Sequence, residues 1–383
     1  SLTDEYLIDE ETPLAQVSAC IPLAQIAERR HSPQLVELKI YTVHSGVNLI
    51  SFTALGRQEE IIINRKLKSE PEGVDSFNTL SDEMILSVFK WLPKRTLANC
   101  MLVCKRWKRV ACDETFWQRL DLGNKTLHRD ALGRILARKP VIIRLAKTQQ
   151  LVGEWHPTTP PAESRIQYLD LSMCTIDIET LNSLLETCPE LKKLSLESVP
   201  LDDRTCKLIG KCHNLETLNL TMAQGITTEG LTLQSLNISW CNLSESALEV
   251  LVTRLPPKLQ RLNVGGARIM TNDMVKQLVS RCPRLVELDV SDCSQLGAAA
   301  ALALQTLGRL EHLALSRCYL LPKLNSMVSL QYLEVWGMLH SASLSALRAA
   351  LPAIQINQFM FSAIARPTVG TRRTSVWGLR TRD

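Results

Sequence analysis

Eight copies of one apolar motif fill residues 166–338. They read IQYLDLSMC from Ile166, LKKLSLESV from Leu191, LETLNLTMA from Leu215 and LQSLNISWC from Leu233. Then come LQRLNVGGA from Leu259, LVELDVSDC from Leu285, LEHLALSRC from Leu310 and LQYLEVWGM from Leu330. Each follows L-x-x-L-x-L, and that spacing asks for a short strand with one face buried. One copy cannot bury its own leucines, so each must be covered by the next. The second apolar residue of each pattern marks its phase: Leu169, Leu194, Leu218, Leu236, Leu262, Leu288, Leu313 and Leu333, with steps of 25, 24, 18, 26, 26, 25 and 20 residues.

The pattern is that of a leucine-rich repeat, so the expected fold is α/β: a curved solenoid with a parallel concave sheet and convex helices. The solenoid is assigned to residues 166–352 and a tail to 353–383. RLDLGNKTL (119–127) and VIIRL (141–145) read as degenerate repeats in a linker over 120–165, so the solenoid is expected to start near Leu120. GEWHPTTPPAES (153–164) reads as a Pro-rich loop within it. Only twelve residues separate Leu220 from Leu233, which leaves little room for a helix. This repeat is expected to lose most of its convex helix, and a splice or gene-model artefact would look the same.

Cysteine usage follows the same clock. Cys174, Cys241, Cys293 and Cys318 lie five residues after their markers, and Cys188, Cys212 and Cys282 lie six before theirs. Seven of the twelve cysteines thus occupy two repeated positions, which points to small buried side chains rather than to metal ligands or disulfides. No nucleophile–base pattern, phosphate loop or metal spacing stands out, so no catalytic residue, metal or cofactor is expected.

The formal charge of +5 is mild, and the Arg-rich end from Arg366 supplies most of it. That weakens a general nucleic-acid reading, although the basic run at 105–109 keeps it as a rival. No apolar run approaches the ~18–20 residues a membrane span needs, and no secretory leader is expected from the residues at the start. Residues 1–75 are expected to be a flexible regulatory segment, with a short docking stretch at Ile61–Leu67.

Residues 76–119 read as a separate helical unit. Leu80, Met84, Ile85, Val88, Phe89 and Leu92 fall at helical spacing, with Ser81 or Thr79 as cap and Pro93 as stop. Thr96 can cap a second helix, and Asp113 can open a turn carrying Phe116 and Trp117. About forty residues are too few to bury so many large side chains alone. Each buried tryptophan removes roughly 150–250 Å² from water, about 4–6 kcal/mol gross, so a partner is expected to complete the surface.

TLSDEMILSVFKWLP followed by VCKRWKRVACDETFW resembles an F-box, with Leu80, Glu83, Val103, Cys104, Lys105, Trp107 and Trp117 matching and Ser81 replacing the usual proline. The repeats, LSRCY, ALPAIQIN and the IARPTVG…WG tail extend the resemblance to F-box/leucine-rich-repeat proteins of the S-phase kinase-associated type. The resemblance implies a non-catalytic substrate receptor of a Skp–cullin–F-box ubiquitin ligase. It would bind the Skp adaptor directly, and cullin and the RING subunit indirectly, in nucleus and cytoplasm. It implies phosphorylated Kip-class cyclin-dependent-kinase inhibitors as substrates and a Cks protein as accessory. The residues implied for the adaptor are Leu80, Met84, Ile85, Phe89, Leu92, Leu97, Val103, Trp107 and Trp117. Those for the accessory protein and substrate are Trp240, Arg268, Asp292, Arg317, Tyr319 and Trp336. In the family the tail crosses the concave sheet, with Phe359, Phe361 and Ile364 as anchors. A receptor for a different substrate, or a scaffold outside any ligase, is the alternative.

Overall fold

The computed structural model describes residues 76–127, 131–149, 164–225, 233–321, 327–368 and 375–381, together with the backbone of 37–43, 47–54 and 57–62. The chain divides into two compact units, which part in sequence between Phe89 and Lys90.

The first unit holds a three-stranded antiparallel sheet of β1 (Glu37–Val43), β2 (Val47–Ala54) and β3 (Arg57–Ile62), in the order β1-β2-β3. This corrects the expectation that residues 1–75 form a largely flexible segment. The runs LKIYTV and VNLISFTA are rich in β-branched and aromatic residues and part-alternate, which suits adjacent strands. The docking stretch at Ile61–Leu67 enters β3 at Ile61 and Ile62; its remainder lies outside the described residues. Helix α1 (Asp82–Phe89) follows. Ser81 caps it by accepting from the Met84 N–H at 3.4 Å, so serine serves in place of proline.

The second unit begins with α2 (Lys94–Cys100) and α3 (Lys105–Ala111). Helix α2 starts two residues before Thr96, directly after Pro93, whose φ of −59° suits a helix entry. Cys104 caps α3, its sulfur accepting from the Trp107 N–H at 3.4 Å. The next turn is opened by Asp113, which accepts from Thr115 N–H at 2.9 Å.

From there eleven strands form one parallel sheet: β4 (Arg119–Asp121), β5 (Ile142–Arg144), β6 (Tyr168–Asp170), β7 (Lys193–Ser195), β8 (Thr217–Asn219), β9 (Ser235–Asn237), β10 (Arg261–Asn263), β11 (Glu287–Asp289), β12 (His312–Ala314), β13 (Tyr332–Glu334) and β14 (Gln355–Ile356). Their spatial order is their chain order. The marker leucines pair with one another along the whole sheet, and Leu120 and Ile143 enter the same register before Leu169. The short step keeps it too, with Leu218 opposite Leu236. The expected loss of that repeat's helix falls largely on residues 226–232, outside the described residues.

Among the described residues seven helices complete this unit: α4 (Ala131–Ala137), α5 (Ile178–Glu186), α6 (Asp203–Lys211), α7 (Glu245–Arg254), α8 (Asn272–Arg281), α9 (Ala298–Leu304) and α10 (Ser341–Ala350). Asp177, Asp202, Ser244 and Thr271 each accept an N–H of the following first turn, at α5, α6, α7 and α8. Helix α5 packs on α6, α7 on α8 and α8 on α9.

The seven periodic cysteines are all buried. Several of their thiols point at backbone oxygens one repeat back, as Cys241 does toward Leu220 O at 2.9 Å and Cys318 toward Val290 O at 3.2 Å. Burial pushes the Cys174 and Cys241 thiols up to about 12, so they are protonated, unreactive packing groups. Among the described residues no cluster fit for a metal ion occurs, and no helix is long and apolar enough to cross a membrane.

At the third residue of many strands a polar side chain locks the exit from the sheet. Asp170, Asn219, Asn237, Asn263 and Asp289 each accept the N–H two residues on. At β5 the corresponding residue is Arg144, 4% exposed, which meets Asp121 at 2.8 Å and Asp170 at 3.8 Å. One guanidinium thus lies between two acidic side chains, and burial still holds the Asp170 carboxyl above its ordinary range. Replacing Arg144 with leucine removes the buried cation between them and should cost about 3–5 kcal/mol of unfolding free energy, measurable by urea titration.

Candidate functional site

The residues implied for the adaptor separate by accessibility. Met84 is 55% and Val103 49% exposed, and Leu80, Leu92 and Trp107 are half-buried. Ile85, Phe89, Leu97 and Trp117 are at most 2% exposed, which corrects the expectation that all nine face a partner. Large side chains at helical spacing are buried by the chain's own neighbours first, and their spacing does not reveal which face is the inside. Trp117 shows this best. Its indole N–H donates to Ala111 O at 2.8 Å, and the Arg138 guanidinium lies 5.1 Å from its ring centre. Arg138 also donates to Cys112 Sγ at 2.9 Å, which ties the end of the box to the residues just after α4. Sequence reasoning passed over Trp91, which is 78% exposed, and did not assign Leu102, at 59%, to the adaptor. An apolar residue at an exposed turn carries no signal until the helices on either side are placed.

The second cluster lies where the strands leave the sheet. Four residues past each marker, the backbone turns left-handed: φ is 59° at Trp240, 61° at Asp292 and 61° at Arg317, with Gly266 at 82° and Gly337 at 72°. Trp240, Asp292 and Arg317 therefore stand in one row. Arg317 grips Asp292 through both Nε and Nη2, and that carboxylate raises the guanidinium above its ordinary range. Two residues further along, Arg268 lies 5.8 Å over the Trp240 ring and Tyr319 is 66% exposed. Trp336 does not join them. Its indole N–H is shared between Glu334 Oε2 at 2.9 Å and Phe359 O at 3.0 Å, so it serves the tail.

The tail runs back along the sheet. The Phe359 N–H donates to Glu334 Oε1 at 3.0 Å, and its ring lies against His312 and Tyr332. Asn237 donates to Ile364 O at 3.0 Å, Trp377 lies 6.5 Å from Tyr168, and Arg119 donates to Arg380 O at 3.4 Å. Phe359 and Ile364 are anchors, as expected; Phe361, at 75% exposed, is not. The hairpin of β15 (Ser375–Val376) and β16 (Leu379–Arg380) ends the described tail.

The molecule is thus a leucine-rich-repeat solenoid that follows directly on a small helical box. Residues 130–383 match the SKP2 LRR domain family and residues 78–123 the F-box-like family. The first match covers more than half of the chain, and the chain belongs to that family. Lysine-specific demethylase 2B of Mus musculus is 27% identical over 247 residues, 56% of this chain and 18% of that protein; the activity in that name is that protein's own. F-box/LRR-repeat protein 4 of Bos taurus is 31% identical over 134 residues, 31% of this chain and 22% of that protein. The chain spans only about a fifth of the length of these curated relatives. A chain of the yeast Rad7–Elc1 complex superposes with a TM-score of 0.40 at 12% identity, over 68% of this chain and 70% of that one.

Two tests follow from this geometry. A Cβ at Gly266 would fall 2.6 Å from the Trp240 ring on a backbone of φ +82°. Gly266→Ala should displace that indole and cost about 1–2 kcal/mol, read as a shift in tryptophan emission together with a lower melting temperature. Burial holds the Asp289 carboxyl above its ordinary range despite its bonds to Ser291. The folded chain therefore keeps that proton more tightly than the unfolded one, and stability falls as pH rises through the window between the two values. Asp289→Asn keeps the acceptor that Asn263 supplies one repeat earlier. Its melting temperature should exceed the parent's at neutral pH, with the gap closing toward pH 3; a gap independent of pH refutes this.

Proposed function

We propose that this chain is a non-catalytic substrate receptor of a Skp–cullin–F-box ubiquitin ligase, acting in nucleus and cytoplasm. The observation that carries the reading is an F-box-like segment over 78–123 running into the repeat sheet at Arg119. Such a receptor makes and breaks no bonds. It holds a bound protein near a charged conjugating enzyme and raises the local concentration of its lysines. The Arg138–Trp117 contact supports that role, because a stiff joint keeps the bound protein at a fixed distance from the box.

In this reading the accessible apolar residues Leu102 and Val103 meet the Skp adaptor, and cullin and the RING subunit follow through it. The finer assignment, phosphorylated Kip-class cyclin-dependent-kinase inhibitors with a Cks accessory protein, is supported by the family match over 130–383. The exposed groups Trp240, Arg268 and Tyr319 and the Asp292–Arg317 pair would form the contact, since aromatic and arginine side chains are favoured at interface centres.

Leu102→Asp and Val103→Asp change exposed side chains, so each should fold and melt as the parent does. Capture of purified Skp adaptor should weaken at least about tenfold, near 1.4 kcal/mol. Undiminished capture by both variants would overturn the assignment of this face.

A further inference from the structure

The left-handed row at the strand exits continues toward the first repeats. Lys147, Met173, Ser198, Met222 and Trp240 have φ values of 59°, 56°, 58°, 57° and 59°. A side chain on such backbone costs about 1 kcal/mol or more relative to the right-handed region. Gly266 and Gly337 show that the same turn accepts glycine, which is free of that cost. Yet this stretch of the row carries two methionines and a tryptophan, and all three stand in solvent: Met173 is 46%, Met222 51% and Trp240 37% exposed. The Trp240 ring packs on Gly266 and under Arg268, whereas neither the turn nor the core explains the two methionines. Between the methionines, the Ser198 hydroxyl donates to the Met222 sulfur at 3.8 Å.

Adjacent strands lie about 4.8 Å apart, so the five steps from Lys147 to the exit turn bearing Arg268 span roughly 24 Å. That is the length of about seven residues of extended chain at ~3.3 Å each. Methionine is unbranched and polarizable, and adapts to varied apolar and aromatic partners. An exposed cation closes each end: Lys147 at one, and Arg268, stacked on Trp240, at the other.

We propose that the row Lys147–Met173–Ser198–Met222–Trp240–Arg268 is a docking strip for an extended peptide with apolar side chains at its centre and an anionic group, carboxylate or phosphate, at each end. Naming that peptide a substrate segment rests on the receptor reading above; the binding itself does not.

The test uses the full chain co-purified with its Skp adaptor, panned against a displayed library of random peptides. Enriched peptides should carry a central apolar pair between acidic residues, and should shift the Met173 and Met222 methyl resonances of methyl-labelled protein. Synthetic versions with glutamate or phosphoserine at the ends then separate the two anionic sources. The double variant Met173→Gly, Met222→Gly removes the side chains and relieves the backbone. It should melt at or above the parent's temperature and bind the enriched peptide at least about tenfold more weakly. Lys147→Glu should weaken the acidic-ended peptide and spare its neutral counterpart. Adaptor capture should stay unchanged in these variants, which keeps a failure of the strip distinct from a failure of the receptor reading. Absence of enrichment, equal binding by the double variant, or enrichment of helical peptides or of this chain itself would overturn the proposal.

Discussion

A three-residue strand is too short to hold itself, and the molecule depends on how that weakness is met. Every strand of the large sheet borrows its hydrogen bonds and its apolar cover from the strands beside it. The column that begins at Leu120 and Ile143 and runs through the marker leucines to Leu333 and Ile356 is therefore the element on which the rest stands. It fixes the register. The register places the third strand residue where Asp170, Asn219 or Asn263 can tie down the next turn. The tied turn in turn sets one left-handed residue per repeat. Even the short step between Leu218 and Leu236 leaves the column unbroken, because the demand on the strand is local and the demand on the helix is not.

Much of this is legible in the sequence. The leucine period announced the sheet, the weak copies at Leu120 and Ile143 fell into its register, and the cysteine phase matched buried packing positions. Caps such as Ser81 and Asp113 were readable because a short polar side chain ahead of a periodic run has few other uses. Three things were not legible, each for a physical reason. Spacing identifies a helix face but not which neighbour covers it, so Ile85, Phe89, Leu97 and Trp117 were assigned to a partner although the chain itself buries them. The sheet over Glu37–Ile62 occurs once, so its runs lack the repetition that makes the leucine strands stand out. The left-handed row has no compositional mark, since Asn, Lys, Met, Ser, Trp, Gly, Asp and Arg all occupy it; only the register reveals that they share a position.

The accessible surfaces follow from what the column leaves free. The concave side gives up much of its breadth to the chain's own tail, at Phe359, Ile364 and Trp377. What remains accessible is the rim where strands turn outward, which is where the stacked Arg268 and Trp240, the Asp292–Arg317 pair and the exposed methionines lie.

The tail has a mechanical consequence. A stack of repeats in which each touches only its neighbours melts from its ends, one unit at a time. Here the terminal strap bonds to Glu334 near the last strand, to Asn237 in the middle and to Arg119 in the first. It joins the two extremities that would otherwise open independently. A linear array so stitched acquires long-range contacts that neighbour-to-neighbour stacking lacks. Its end repeats should open as one event, and a load applied at the box should be felt at the far end of the solenoid.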